Sequence, residues 1–142
     1  MSGAFKELLF ADMATFLLDT SVIIDGLNNK RNRSDLLLDL LNAGHLLACC
    51  AINVTEIYAG MRPKEKAATE RFLESLQYYS ISPAAARLAG ELKRDHGRRG
   101  ITLNLGDVTV AAVAISSKLI LITDNVKDFP MKGVDLYPLP KA

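Results

Sequence analysis

LLDTSVIID, at residues 17–25, is the stretch that decides how this sequence is interpreted. The apolar run from Thr15 to Leu18 predicts a buried strand, and the carboxylate of Asp19 follows it directly. In an open α/β sheet, polar residues just beyond the carboxyl ends of the strands line the reactive crevice. Asp19 is therefore a candidate site residue, and the hydroxyls of Thr20 and Ser21 are placed to hydrogen-bond it. Capping of the next helix is the commoner use of such an aspartate and remains an alternative.

Strand-like and helix-like segments alternate along the rest of the chain, which predicts a parallel sheet with helices on both faces. The predicted strands are Thr15–Leu18, His45–Ala51, Tyr78–Ile81 and Leu119–Thr123, with Asp135–Tyr137 as a candidate edge strand. The predicted helices are Ser34–Ala43, Lys64–Leu76, a segment capped by Ser82 that runs to His96 and ends before Gly97, and Gly106–Ser117.

Size and composition favour one globular domain. The chain has 142 residues, of which 49% are hydrophobic, enough for a sizeable core. We expect a domain at residues 14–142, preceded at residues 1–13 by an extension or a poorly ordered tail. No apolar run approaches the roughly 18 residues that cross a bilayer. Lys6, Glu7 and Asp12 interrupt the region that a signal peptide would need to be apolar, so we expect a cytoplasmic protein.

Cysteine and histidine offer little metal or nucleophile chemistry. Cys49 and Cys50 are adjacent in a predicted strand, so their side chains should point to opposite faces and serve as small core residues. His45 and His96 are far apart in sequence and share no ligand spacing. The polar chemistry is therefore expected to come from carboxylates.

Three further acidic positions follow the same pattern as Asp19. Glu56 lies shortly after the second predicted strand, where we expect Asn53 to cap a helix that carries Glu56 on its first turn. A favourable interaction with the helix dipole is an equally good explanation for a glutamate at that position. Asp107 has a similar place on the predicted helix Gly106–Ser117. The segment TDNVKDF, residues 123–129, places two more acids and an amide beyond the fourth strand.

Acids gathered in one crevice repel each other unless a cation neutralises them. Oxygen ligands without histidine or thiolate favour Mg²⁺ or Mn²⁺, which keep several waters and accept phosphate oxygens as further ligands. One or two such ions are typical of phosphodiester hydrolysis. The sequence therefore indicates a metal-dependent phosphodiesterase site.

Four segments resemble the motifs of PIN domains, particularly those of VapC-type toxins. They are LLDTSVIID at 17–25, NVTEIYAG at 53–60, LGD with AAVA between 105 and 114, and ITDNVKDF at 122–129. The motifs occur in the family's order and with comparable spacing. The resemblance implies a three-layer α/β/α sandwich with a central parallel sheet, a ribonuclease activity, a homodimer and a VapB-type antitoxin that covers the active site.

The resemblance also implies roles for individual residues. The catalytic acids would be Asp19, Glu56, Asp107 and Asp128, with Asp19 and Asp107 as the principal metal ligands. The accessory residues would be Ser21, Asn125 and Asp124. Asp124 departs from a position that is often basic or neutral in the family, so it either adds charge to the site or points away from it.

The net charge is only +1, so any grip on RNA must come from local basic clusters. Arg98 and Arg99 belong to one cluster and are candidate RNA contacts; Lys30, Arg31 and Arg33 form a second. Solvated helix ends explain both clusters equally well. The apolar stretch around Ile57 to Met61 is a candidate antitoxin or dimer surface, or simply core.

The chief functional hypothesis is a metal-dependent endoribonuclease that acts as the toxin of a toxin–antitoxin pair. The alternative is a module that binds RNA or antitoxin without useful turnover, which loss of a key acid would have favoured. A phospho-accepting receiver domain needs an aspartate after the third strand, where this chain has SISP at 80–83. A haloacid-dehalogenase-like phosphatase needs Asp-x-Asp after the first strand, and this chain has DTS at 19–21.

Overall fold

Five short strands pair side by side into one sheet, and helices form from the segments between them. The computed structural model describes residues 13–139, so the extension predicted at 1–13 lies outside the described residues except for Met13. The strands are β1 (Thr15–Leu18), β2 (Leu46–Cys50), β3 (Gln77–Tyr79), β4 (Ile120–Ile122) and β5 (Asp135–Leu136). The α-helices are α1 (Thr20–Leu27), α2 (Arg33–Asn42), α3 (Ala51–Gly60), α4 (Lys66–Glu74), α5 (Pro83–Arg98) and α6 (Leu105–Ser117).

The strand order is β3-β2-β1-β4-β5, and all four neighbouring pairs are parallel. The predicted three-layer α/β/α sandwich with a central parallel sheet is confirmed. Side chains alternate across the central strand: Phe16 and Leu18 pack in one buried cluster, and Leu17 packs in the other. Because β1 is central and buried on both faces, the residue that follows it lies at the middle of the sheet edge.

The predicted small residues of β2 are core residues, as expected. Cys49 and Cys50 are both buried, and they belong to the clusters on opposite faces of the sheet. Burial raises the pKa of the Cys49 thiol to about 11, which keeps it uncharged. His45 is also buried, and its Nδ1 accepts a hydrogen bond from the backbone N of Ala14 at 3.0 Å.

Several predicted boundaries were wrong by a few residues. The third strand is Gln77–Tyr79 rather than Tyr78–Ile81, because its pairing register is set by residues 48–50 of β2. The helix predicted at Lys64–Leu76 begins as a short 3-10 turn at Pro63–Glu65 and continues as α4. Helix α5 does not end before Gly97, because one glycine lowers helix stability only modestly and the hydrogen bonds continue to Arg98.

The helix that carries Glu56 also begins earlier than predicted. Strand β2 ends at Cys50, and α3 starts at the next residue without an intervening loop. Asn53 therefore lies inside the first turn, where its Oδ1 accepts from the Cys50 backbone N at 2.8 Å, instead of preceding the helix as its cap. Glu56 consequently lies on the second turn rather than the first. No helix within residues 13–139 is long and apolar enough to cross a membrane.

Candidate active site

Asp19 joins three elements at the centre of the sheet edge. Its backbone N donates to the carbonyl oxygen of Ile122 at the end of β4, at 2.9 Å. Its Oδ1 accepts from the backbone N of Thr20 at 2.9 Å, so it caps α1. Its Oδ2 accepts from the Thr123 hydroxyl at 2.7 Å. The capping interpretation is thus confirmed, and it leaves the carboxylate at the predicted crevice.

The electrostatic setting of Asp19 is that of a crowded acid. The side chain is only 8% exposed, and this burial is the main cause that raises its pKa. Hydrogen bonds from Thr123 and Thr20 oppose the rise, whereas the negative charges of Glu56 and Asp128 add to it. Asp19 therefore lies within electrostatic reach of two of the other predicted acids.

Glu56 approaches this position from α3. Its side chain is exposed, and its Oε1 accepts from the Thr20 hydroxyl at 2.7 Å. The sequence suggested that this hydroxyl would bond to Asp19, but only the backbone N of Thr20 does so. Thr20 therefore links the first two predicted acids, with its amide on one and its hydroxyl on the other.

Asp107 lies on the first turn of α6, as predicted. The helix is capped by Asn104, whose Oδ1 accepts from the backbone N of Gly106 at 2.7 Å and of Asp107 at 3.2 Å. A Cβ added at Gly106 would lie 3.0 Å from that Oδ1, so glycine allows the tight cap. The pKa of Asp107 is raised to about 6, mainly by burial and then by the charges of Asp128, Asp19 and Glu56.

The segment after β4 supplies the fourth acid. Asp128 is half-buried on a 3-10 turn, Val126–Asp128, and its backbone N donates to the carbonyl oxygen of Asn125 at 2.9 Å. The Asn125 backbone N in turn donates to the Thr123 hydroxyl at 3.0 Å. The same hydroxyl that binds Asp19 thus anchors this turn, which places Asp128 near the sheet edge.

The four acids predicted from the motifs lie within electrostatic reach of one another, since the charges of Glu56 and Asp128 raise the pKa of Asp19 and those of Asp128, Asp19 and Glu56 raise the pKa of Asp107. Within residues 13–139, no group of three or more His, Cys, Asp or Glu side chains is arranged to hold a metal ion. A hard cation such as Mg²⁺ fits the donor set nonetheless, because it takes few carboxylates and completes its shell with water. Carboxylates whose pKa is raised by burial and by neighbouring negative charges are the groups that such a cation would stabilise in their ionised form.

The accessory residue Ser21 and the two predicted RNA contacts lie in different places. Ser21 Oγ is buried and has no hydrogen-bond partner within the described residues, so it has unused hydrogen-bonding capacity beside Asp19. Arg98 and Arg99 are exposed at the carboxyl end of α5, which packs on α6, the helix of Asp107. Neither arginine forms an ion pair within residues 13–139, so both charges are available to a ligand.

In the second basic cluster Lys30 and Arg31 are exposed, but Arg33 is not the solvated cation that the sequence allowed. Arg33 is only 3% exposed, and its Nη2 donates to Asp124 Oδ1 at 2.6 Å. A second guanidinium nitrogen, Nη1, donates to the carbonyl oxygen of Arg31 at 3.1 Å. Asp124 is also approached by Arg31 at 3.6 Å. The extra acid beside the site is therefore neutralised, and it ties the start of α2 to the segment after β4.

Sequence reasoning missed the side chains that hold the acids in place. These are Thr123, Asn104 and Arg33, together with the separate functions of the Thr20 hydroxyl and the Asn53 amide. Thr123 and Thr20 stand beside the motif acids, so a search for hydroxyls next to them would have flagged both. Arg33 left no such signal, because its partner is 91 positions away in sequence.

These features define a class: an α/β protein with acidic side chains gathered where parallel strands end. Residues 16–130 match the profile of the family described as the PIN domain, which is most of the chain. The chain belongs to the PIN-domain family. Ribonuclease VapC19 of Mycobacterium tuberculosis is 33% identical to it over 122 residues, which span 86% of this chain and 97% of that protein.

Two solved structures show the same fold. The first is VapBC2 from Rickettsia felis bound to a DNA fragment from its promoter, with a TM-score of 0.76, 23% identity and coverage of 87% of this chain and 97% of that one. The second is DNA-bound VapBC from Salmonella typhimurium, with a TM-score of 0.74, 25% identity and coverage of 88% and 98%. At 23% identity, the likeness to the Rickettsia felis structure concerns the fold alone.

The raised pKa of Asp107 predicts an unusual pH dependence of stability. A carboxyl that binds its proton more tightly in the folded state stabilises the fold when protonated. This contribution is present below the ordinary pKa of 3.8 and is lost as the pH rises through about 6. In EDTA, the midpoint of thermal unfolding of wild type should fall between pH 5 and pH 7.5. We expect the midpoint of Asp107→Asn to fall less over the same range. An unchanged pH dependence in the variant would contradict the crowding of Asp107.

The buried pair of Arg33 and Asp124 predicts a large stability effect. Asp124→Leu leaves the guanidinium buried without its carboxylate, and loss of one partner of such a pair costs about 3 kcal/mol. The double variant Arg33→Met with Asp124→Leu removes both charges and should recover most of that loss. Urea unfolding of the two variants and wild type measures both effects. Equal destabilisation in the single and double variants would show that the charge pair is not the cause.

Proposed function

We propose that this chain is a divalent-metal-dependent endoribonuclease, the toxin of a VapBC-type toxin–antitoxin pair. The observation that carries the proposal is that Asp19 and Asp107 lie near two further acids where the strands end. The pKa values of Asp19 and Asp107 are both raised. Membership of the PIN-domain family and the likeness to a protein named as a ribonuclease agree with that chemistry.

Asp19 and Asp107 are the residues proposed to hold Mg²⁺ or Mn²⁺, with Glu56 and Asp128 completing the site. When bound, such a cation supplies the Lewis acidity that activates water and stabilises negative charge on a phosphate. The chain's own contribution is orientation. Thr123 binds Asp19 Oδ2, and Thr20 binds Glu56 Oε1, so each of these acids keeps one oxygen fixed by a hydroxyl.

The remaining side chains have supporting roles in the proposal. Ser21 and Asn125 are accessory polar groups beside the acids, and Ser21 Oγ has a free bonding capacity there. Asp124, paired with Arg33, supports the segment that carries Asn125. Arg98 and Arg99 are proposed to contact the RNA backbone, since both are exposed and unpaired within the described residues.

An antitoxin partner is part of the same proposal. A cleft of about 230 Å³ is lined by Ile24, Leu27, Ile57 and Met61 and reaches Glu56. Its apolar walls beside an acidic site suit a VapB-type antitoxin segment that has an apolar face and a basic side chain. Tyr58, the neighbour of Ile57, is 42% exposed and is not part of the core. We further propose a homodimer, a PIN domain at residues 14–142 and a cytoplasmic location.

The first test of this function is cleavage of a labelled single-stranded RNA pool with Mg²⁺ or Mn²⁺. We expect Asp19→Asn or Asp107→Asn to lower the cleavage rate by about 100-fold or more, because the metal's contribution is worth several kcal/mol. Each change keeps the side-chain volume, so circular dichroism should show a folded protein. EDTA should abolish cleavage by wild type.

Asp39→Asn is the matched control, because Asp39 is exposed on α2 and lies outside the proposed site. It should cleave at the wild-type rate. Full activity of either site variant would reject the assignment of the acids. If wild type binds RNA but cleaves none with either metal, the module without turnover becomes the better hypothesis.

The proposed RNA contacts predict a change in salt dependence. Substitution of Arg98 and Arg99 by Gln should weaken RNA binding and reduce the slope of log affinity against log salt by about 0.7 per lost contact with single-stranded RNA. Filter binding by Asp19→Asn protein, which holds RNA without cutting it, measures the slope. Gln at Lys66 and Arg71, two exposed cations on α4, is the charge-matched control. If the Arg98/Arg99 variant and the Lys66/Arg71 variant have equal slopes, Arg98 and Arg99 are solvated cations at a helix end and not RNA contacts.

A further inference from the structure

A chain of hydrogen bonds runs from the end of β2 to the carboxylate of Glu56. The backbone N of Cys50 donates to Asn53 Oδ1 at 2.8 Å. Asn53 Nδ2 donates to the Thr20 hydroxyl oxygen at 3.1 Å, and that hydroxyl donates to Glu56 Oε1 at 2.7 Å. The path leaves α3 at Asn53, crosses to α1 at Thr20 and returns to α3 at Glu56.

The direction of every bond in this path is set by its first member. A backbone N–H only donates, so the Asn53 atom that faces Cys50 must be the carbonyl oxygen. The other end of the amide is then the NH₂ group, which donates to Thr20. The Thr20 hydroxyl has one hydrogen, and because its oxygen already accepts from Asn53, that hydrogen goes to Glu56. Asn53 is 0% exposed, so water cannot compete for its amide atoms.

We propose that Asn53 is a positioning residue of the active site: it sets the direction of the Thr20 hydroxyl and thereby the orientation of Glu56. Glu56 is exposed and would otherwise rotate freely. With Oε1 held by Thr20, the other oxygen has no protein hydrogen bond within residues 13–139 and is left for a ligand. The inference rests on the proposed function in that Glu56 belongs to the catalytic site.

Asn53→Asp tests the direction of the bonds rather than the presence of a side chain. Aspartate has the size of asparagine, and it still accepts from the Cys50 backbone N in the first turn of α3, where a carboxylate suits the helix dipole. When ionised, its second oxygen cannot donate, so we expect the Thr20 hydroxyl to turn its hydrogen toward residue 53 and away from Glu56. Thr20→Val removes the same hydrogen bond directly, and Thr20→Ser keeps it.

The experiment is a double-mutant cycle on single-turnover RNA cleavage with Mg²⁺. We expect Asn53→Asp and Thr20→Val each to lower the rate by about 10- to 100-fold, the usual effect of losing a residue that orients a metal-site ligand. Thr20→Ser should stay near wild type. The double variant should be no slower than the slower single variant, because both changes break one path. Losses that multiply in the double variant, or a wild-type rate for Asn53→Asp, would overturn the proposal.

A second readout separates this inference from the proposed function. Urea unfolding in EDTA of wild type, Asn53→Asp, Thr20→Val and the double variant needs no cleavage. The change in unfolding free energy caused by Asn53→Asp should be smaller when residue 20 is already Val. If wild type cleaves no RNA, the proposed function fails while this coupling still tests the path. Independent unfolding effects would overturn the path itself. Should Asn53→Asp not fold, Asn53→Ala, which removes the donor to Thr20, takes its place in both cycles.

Discussion

The carboxylate of Asp19 is the point at which the central strand, the first helix and the segment after β4 meet. Its backbone N extends the pairing of β1 with β4, and its two oxygens accept from Thr20 and Thr123. Thr123 also anchors the turn that carries Asp128, through the backbone N of Asn125. One buried side chain thus fixes the first acid and, through a shared hydroxyl, constrains the fourth.

This arrangement requires the fold to hold like charges together. Burial and mutual repulsion raise the pKa values of Asp19 and Asp107, so the crevice is electrostatically unfavourable when it is fully ionised. Packing and capping hold the acids in place despite this repulsion: apolar clusters pack on both faces of the sheet, and Asn104 caps the helix of Asp107. The fifth acid, Asp124, adds little to the repulsion because the buried Arg33 neutralises it. A bound cation would therefore lower the electrostatic free energy of the ionised carboxylates.

Most of the polar supports lie inside the quoted motif segments, whereas Asn104 and Arg33 lie outside them. Asn53, Thr20 and Glu56 form one path on the side of α1 and α3, while Thr123 and Asn125 form another beyond β4. The shared feature is that a backbone N–H begins each path and so sets its direction. Orientation of the acids is therefore built into the backbone at the strand ends.

The sequence by itself determined the fold class and the parallel sheet, and it predicted the four acids of the proposed site, because apolar runs ending in carboxylates are local patterns. The predicted order of motifs placed Asp19, Glu56, Asp107 and Asp128 at one sheet edge, where the structure has them. Tertiary structure decided the rest. The pairing of Thr20 with Glu56 and the burial of Arg33 against Asp124 depend on residues distant in sequence. Hydrogen bonds and ion pairs are directional contacts between such residues, so no local pattern encodes them.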